Sequence, residues 1–214
     1  VTITSAGTYR VSGTLNDGQV IVDTYDEDTV KLILKGVDIT CSDSAPIYVA
    51  NAEDTVITLA NGTTNFITDG TLYDNTGTKE PDAAIFSKDD LTINGSGWLT
   101  IDANFNHGIA SKDDLTIADG TITVSAVNDG IRGRDSLVIE GGTITVTAGS
   151  DCLRSNNDED PTKGYVTITG GVLTLASADD AIHAESAVAI TGGDISITSC
   201  YEGIDGPVIT IDDA

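Results

Sequence analysis

From Asn128 to Asp151 the chain reads NDGIRGRDSLVIEGGTITVTAGSD, and within each short run the apolar residues fall on alternate positions. Period-two alternation sends Ile131, Leu137, Ile139, Ile144 and Val146 to one side and Arg132, Val138, Thr143, Thr145 and Thr147 to the other. A charged turn at Arg134-Asp135 and a glycine turn at Gly141-Gly142 break the alternation. The pattern predicts three short strands in one unit, each with an apolar and a polar face.

The unit recurs. Aligning on the aliphatic residue that follows a small one gives Ile85, Ile109, Ile131, Leu153, Ile182 and Ile204, separated by 24, 22, 22, 29 and 22 residues by subtraction. The long interval holds a polar insert, NNDEDPTKG, from Asn156 to Gly164. The segments GIASKDDLTIADGTITVSAVN, GIRGRDSLVIEGGTITVTAGS and AIHAESAVAITGGDISITSCY run in the same order. A single coil of three strands cannot bury its own apolar face, so coils must stack, each laying parallel strands about 4.8 Å above the last. The prediction is an all-β chain, one parallel β-helix domain over residues 1–214, with roughly seven to eight coils of about 22 residues. Propeller blades and leucine-rich repeats need other periods and phrases. The N-terminal third keeps the alternation with looser spacing and is expected to cap the stack. A loop, DGTLYDNTGTKEPD from Asp69 to Asp82, interrupts it.

Composition adds constraints. Glycine is abundant (23 residues), methionine is absent and Thr, Ile and Val recur, which suits neither a helical protein nor a disordered one. With 34 acidic residues against 10 basic, the formal net charge is -24, so nucleic acid is excluded as a partner, as are anionic membranes, unless a cation intervenes. No apolar run approaches a membrane span, and Val1 opens directly into strand-like VTIT, as expected of a trimmed mature domain. Cys41, Cys152 and Cys200 are too scattered for a disulfide scaffold or a C-x-x-C zinc site; buried structural thiols are expected, with one disulfide possible. The chain contains no P-loop, H-E-x-x-H, nucleophile elbow or nucleotide fingerprint, and no carboxylate pair stands out for glycoside hydrolysis.

Stacking turns sequence columns into ladders. The position before the small residue reads His107, Asp129, Asp151, Asp180, Glu202, and the one before that reads Asn106, Asn128, Ser150, Asp179, Tyr201. Carboxylates about 5 Å apart repel by on the order of 1 to 3 kcal/mol per contact, so the ladder calls for compensation. Calcium, which takes carboxylate, amide and carbonyl oxygens, would supply it, and so would neighbouring Arg and Lys; turn preference alone is the plainer reading. A second acidic column runs through Asp89, Asp113, Asp135 and Asn157 to Glu185, and the insert adds Asp158, Glu159 and Asp160 beside it. The candidate metal ligands are thus Asn128, Asp129, Asp151, Asp179, Asp180 and Glu202 on the first column, and Asp89, Asp113, Asp135, Asn157 and Asp158 on the second.

Five of the ten basic residues, Lys88, Lys112, Arg132, Arg134 and Arg154, fall one or three positions after the aligned aliphatic, with His183 in the first of these columns. Such a strip suits an acidic sugar polymer, because Arg grips carboxylates bidentately and calcium bridges protein carboxylate to uronate. The alternative is a set of surface ion pairs worth under about 1 kcal/mol each. The third strand of each unit sends out rows such as Trp98/Thr100/Asp102, Thr121/Thr123/Ser125 and Thr143/Thr145/Thr147, a hydroxyl-rich face that suits crystalline polysaccharide or ice, with Trp98 stacked on a sugar ring; ordinary β-propensity on a solvated face, with Trp98 shielding an edge, is the plainer reading.

The phrases GTYRVSGTLNDGQVIVD, LTLANGTTNFITDG, AAIFSKDDLTINGSGWLTI, NHGIASKDDLTI and NDGIRGRDSLVIEGGTITVTA resemble those of the bacterial carbohydrate-binding-domain family of right-handed parallel β-helices, similar in fold to pectate lyases. The resemblance covers essentially the whole chain. It implies an extracellular protein, secreted or at the cell surface, that binds calcium and plant cell-wall polysaccharide, pectin or cellulose, as a monomer or weak oligomer. It also implies an enzymatic alternative, a calcium-dependent pectate lyase with Lys112, Arg132, Arg134 or Arg154 as base. Against this, an acid ladder beside such a residue favours its protonated form, so a non-catalytic binder is the preferred expectation. A structural spacer that binds no sugar is the third class.

Overall fold

A computed structural model describes residues 1–74 and 80–212; part of the Asp69 to Asp82 loop, residues 75–79, lies outside the described residues. Every regular element among them is a β-strand, and every strand pair is parallel. Nine strands, from Thr2–Ile3 to Ile204–Asp205, form one face of a parallel β-helix. The other two faces belong to one fifteen-stranded sheet, folded at the long strand Val30–Cys41. Val30–Leu34 of that strand pairs with Asp54–Leu59 on one face, and Asp38–Cys41 pairs with Thr64–Asp69 on the other. Gly36, at φ +72°, makes the corner, a conformation that a side chain would strain. The buried Asn65 Oδ1 accepts the backbone N–H groups of Gly36 and Val37 at 2.9 and 3.1 Å.

The register is the one the repeat implied. Ile47, Ile85, Ile109, Ile131, Leu153, Ile182 and Ile204 stack in one column, and all but Ile204 are fully buried. Leu91, Leu115, Leu137, Val166 and Val188 form a second column, and Leu99, Ile122, Ile144 and Leu173 a third. Each buried aliphatic contributes roughly 1.5–3 kcal/mol; the columns merge into one main core, and Ala45, Ala83, Phe86 and Ala110 form a small second cluster. The small residue beside the first column is dictated by space: a Cβ on Gly130 would lie 2.2 Å from Val146 Cγ1 and 2.8 Å from the Cys152 carbonyl.

Nine rungs exceed the expected seven to eight, because short strands at both ends extend the stack past the regular repeat. The first coil caps the core with the exposed strand Gly7–Leu15, and the last strand, Ile209–Ile211, is exposed throughout. Cys41 and Cys152 are buried free thiols and Cys200 is an exposed one, so no disulfide forms. No helix of the described residues is long and apolar enough to cross a membrane.

Candidate functional site

The acid ladder rises beside the nine-stranded face, and its members bond to one another through the backbone. The N–H of Asp180 donates to Asp151 Oδ1 at 3.0 Å, and that of Asp151 to Asp129 Oδ1 at 3.4 Å. Asp129 and Asp151 are 0% and 3% exposed, buried far more deeply than turn residues on a solvated edge. Asn128 continues the neighbouring column, donating from Nδ2 to Asn106 Oδ1 at 2.9 Å.

Compensation differs along the ladder. In its lower half, side-chain cations supply it. Arg154 Nη1 lies 3.3 Å from Asp151 and 3.7 Å from Asp129, while Arg132 Nη2 pairs with Asp82 at 3.1 Å. Arg132 Nη1 stands 2.7 Å from His107 Nε2. Guanidinium only donates, so Nε2 accepts from Arg132, while Nδ1 accepts the backbone N–H of Asp129 at 3.2 Å and lies 3.2 Å from Asp129 Oδ2. Burial alone would raise the Asp129 carboxyl, but His107, Arg154 and Arg132 together hold it at about 2. Asp151, with less help, is pushed up by burial.

In the upper half the pattern changes. Asp151, Asp179 and Asp180 bring carboxylate oxygens within 4.8 Å of one another; Asp180 Oδ1 is buried without a hydrogen-bond partner, as Asp129 Oδ2 is in the lower half. Asp180 is 7% exposed, Asp179 exposed, and the ion pair of Asp180 runs to His183. Glu202, one rung further, is exposed and accepts the Ala181 N–H on its backbone carbonyl. An oxygen-rich group with an orphaned buried acceptor is the donor set a hard cation takes.

The second column is closed by its own neighbours. Asp135, buried, accepts from Asn157 Nδ2 at 2.5 Å, pairs with Lys163 and lies 3.9 Å from Arg134. Asn157 Oδ1 is also taken, accepting the N–H groups of Glu159 and Asp160 at 3.0 Å each. Asp89 Oδ2 accepts the Ala52 N–H at 2.8 Å; Asp113 is pushed up by burial and then by the charge of Asp135. Asp158 is exposed on a groove shared with Pro161 and Glu185.

The basic strip is engaged rather than free. Arg132, Arg154 and His183 do stack in consecutive rungs, and Lys112 and Arg134 flank them. Lys112 Nζ pairs with Glu80 at 2.6 Å and Arg134 Nη2 with Glu159 at 2.6 Å, while Lys88 lies over the Tyr48 ring at 5.9 Å.

On the opposite side the threonine rows align as expected, Trp98 beside Thr121 and Thr143, Thr100 beside Thr123 and Thr145. Phe66, which pairs with Thr100, joins them one rung below. Phe66 and Trp98 are 44% and 47% exposed, two aromatic faces on a flat sheet.

Residues 1–206 match the family model described as "Carbohydrate-binding domain-containing protein". The chain belongs to the carbohydrate-binding-domain family. A relative of that description from Acetivibrio thermocellus is 48% identical over 128 residues, 59% of this chain and 45% of that protein, so the match spans less than half of the relative's length. The solved structure of a polysaccharide lyase-like protein from C. thermocellum, a gadolinium derivative, superposes with a TM-score of 0.97 at 43% identity, over 100% of this chain and 87% of the other. The fold of this carbohydrate-binding domain is therefore a polysaccharide lyase-like parallel β-helix. Three of its site features escaped the sequence reading: His107 as a partner of Asp129, Lys163 as the plug of the second column, and Phe66 as a companion to Trp98. For Phe66 a signal existed, since it stands on an outward position of the strand preceding Trp98 in the sheet.

Proposed function

We propose that this domain binds plant cell-wall polysaccharide without cleaving it, holding polygalacturonate-type polymers through calcium at the upper acid ladder and cellulose on the flat aromatic face. The observation that carries the reading is the change in compensation along the ladder. Asp129 and Asp151 share Arg154, and Asp129 has His107 as well, whereas Asp180 has His183 alone and joins Asp151 and Asp179 in bringing three carboxylates within 4.8 Å. Those residues would hold the ion, with Asn128 and Glu202 as outer neighbours, and a bound divalent cation would offer a uronate carboxylate the positive charge that this surface otherwise lacks. The solved neighbour is a gadolinium derivative, and gadolinium is a hard cation that seeks the same oxygens.

The four candidate bases support binding over elimination. Lys112, Arg132, Arg134 and Arg154 are each held by carboxylates at 2.6 to 3.3 Å, and a proton acceptor must be free to approach its substrate proton. Such polymers lie outside the bacterial cell, which makes the cell surface or the medium the place of action. The test is retention on polygalacturonate at fixed ionic strength, with calcium and then with excess chelator, while the same solution is watched for unsaturated product. Calcium-dependent retention without product supports the reading. Unsaturated product would make the domain a lyase, and no retention on this polymer or on cellulose would leave the ladder structural.

A further inference from the structure

On the coil of Asp180, the ladder meets a nitrogen. His183 Nδ1 lies 3.0 Å from Asp205 Oδ2 and 3.3 Å from Asp180 Oδ2, and the three donor atoms fall within 4.8 Å of one another. The ring's other nitrogen, Nε2, is buried without a hydrogen-bond partner and faces Glu185 Oε1 at 3.5 Å. Asp180 is nine-tenths buried and keeps its second oxygen unpartnered.

We infer that His183, Asp180 and Asp205 form a second cation site, one for a borderline transition-metal dication such as Zn²⁺ rather than for calcium. Three features argue for it. First, imidazole nitrogen is a ligand for zinc, nickel and cobalt and a poor one for calcium, which takes oxygen. Second, with metal–ligand bonds of about 2.05 Å, neighbouring ligand atoms stand about 2.9 Å apart in an octahedron and about 3.3 Å in a tetrahedron, and the two Nδ1–carboxylate separations fall within that range. Third, ligation through Nδ1 leaves the proton on Nε2, directed at Glu185. That is the carboxylate–histidine–metal arrangement, in which an outer acid orients the ring and raises its basicity.

The site draws on rungs one coil apart: His183 pairs in register with Asp205, and Asp180 enters from the turn before His183. It shares Asp180 with the proposed calcium group and is otherwise separate from it, so the two are distinguishable by substitution. His183 is also one of only two histidines, and the other, His107, already has Arg132 on Nε2.

The experiment is a Zn²⁺ titration of the full chain in saturating calcium by calorimetry, with a parallel Co²⁺ titration read by NMR of the two histidine rings. One zinc per chain is expected to bind despite calcium, with the His183 ring signals broadened by Co²⁺ well before those of His107. His183→Gln and Asp205→Asn should each weaken zinc by about tenfold or more, whereas Asp179→Asn, outside this site, should leave zinc affinity within about twofold. Unchanged zinc affinity in His183→Gln, displacement of zinc by equimolar calcium, or equal broadening of both rings would overturn the assignment. Circular dichroism of each variant confirms that the β-helix persists. Loss of calcium-dependent sugar retention in Asp179→Asn alone would bear on the proposed function and not on this site.

Discussion

Asp151 Oδ1 accepts the backbone N–H of Asp180 at 3.0 Å, so a carboxylate of one coil caps the chain of the next. This bond explains how like charges survive in register at Asp129 and Asp151: each is met from above by an amide as well as from the side by Arg154. Replacing Asp151 with Ala orphans that N–H and is expected to cost about 1–3 kcal/mol, while Asp151→Asn, which keeps an acceptor, should cost less than half as much. Urea unfolding midpoints in calcium-free buffer measure both.

Acid stability should be bell-shaped. Asp69, Asp90, Asp113 and Asp151 have folded values raised above 3.8, with burial the leading cause, so the native state binds protons more readily than the unfolded chain. Their contribution grows as pH falls through those raised values and levels off below about 4. Asp129 has the opposite sign: held at about 2 against 3.8, it stabilises above pH 4 and loses that contribution between about 4 and 2. Melting temperature, in metal-free buffer, should therefore rise on acidification from neutrality toward about pH 4 and fall below about pH 3. A curve that falls monotonically from pH 7 contradicts this balance.

Arg132 neutralises Asp82 and orients His107, and its side chain is only 18% exposed. Arg132→Ala is expected to destabilise by on the order of 2–4 kcal/mol, a little below the range for fully buried pairs because solvent reaches this one. Arg134→Ala, whose partner Glu159 is exposed, should cost under about 1 kcal/mol. Thermal or urea denaturation of the two variants side by side decides whether burial sets the difference.

Trp98 is the only tryptophan, so its emission reports on the flat face directly. Cellulose oligomers should shift that emission to the blue. Trp98→Ala or Phe66→Ala should weaken retention on insoluble cellulose by about tenfold, since stacking of an aromatic contributes on the order of 1–2 kcal/mol and each removes one of two platforms. Polygalacturonate binding in calcium should be unaffected, which separates the two faces.

The columns were legible in the sequence because their cause is local. A period of two sets which side a residue faces, and a repeat of about 22 sets which residues stack, so the register of Ile131 on Ile109 and of Arg154 on Arg132 followed without coordinates. The threonine rows follow the same logic until the last rung, where a bulge places Ser199 rather than Thr198 beside Ala176.

What the alternation cannot encode is where a long side chain turns after it leaves the backbone. Arg132 turns down toward His107, one coil earlier, and Asp82, two coils earlier, while Arg154 reaches both Asp129 and Asp151. Lys163 comes back from the insert to close the second column at Asp135, and the first ladder keeps Asp129 Oδ2 and Asp180 Oδ1 without hydrogen-bond partners. By itself the sequence determined the fold, the inward and outward faces and the composition of each ladder, because those rest on backbone geometry repeated coil after coil. Only the tertiary structure decided which carboxylates meet Arg, Lys or His and which gather with other carboxylates, because that depends on side chains from non-adjacent segments competing for the same buried oxygens.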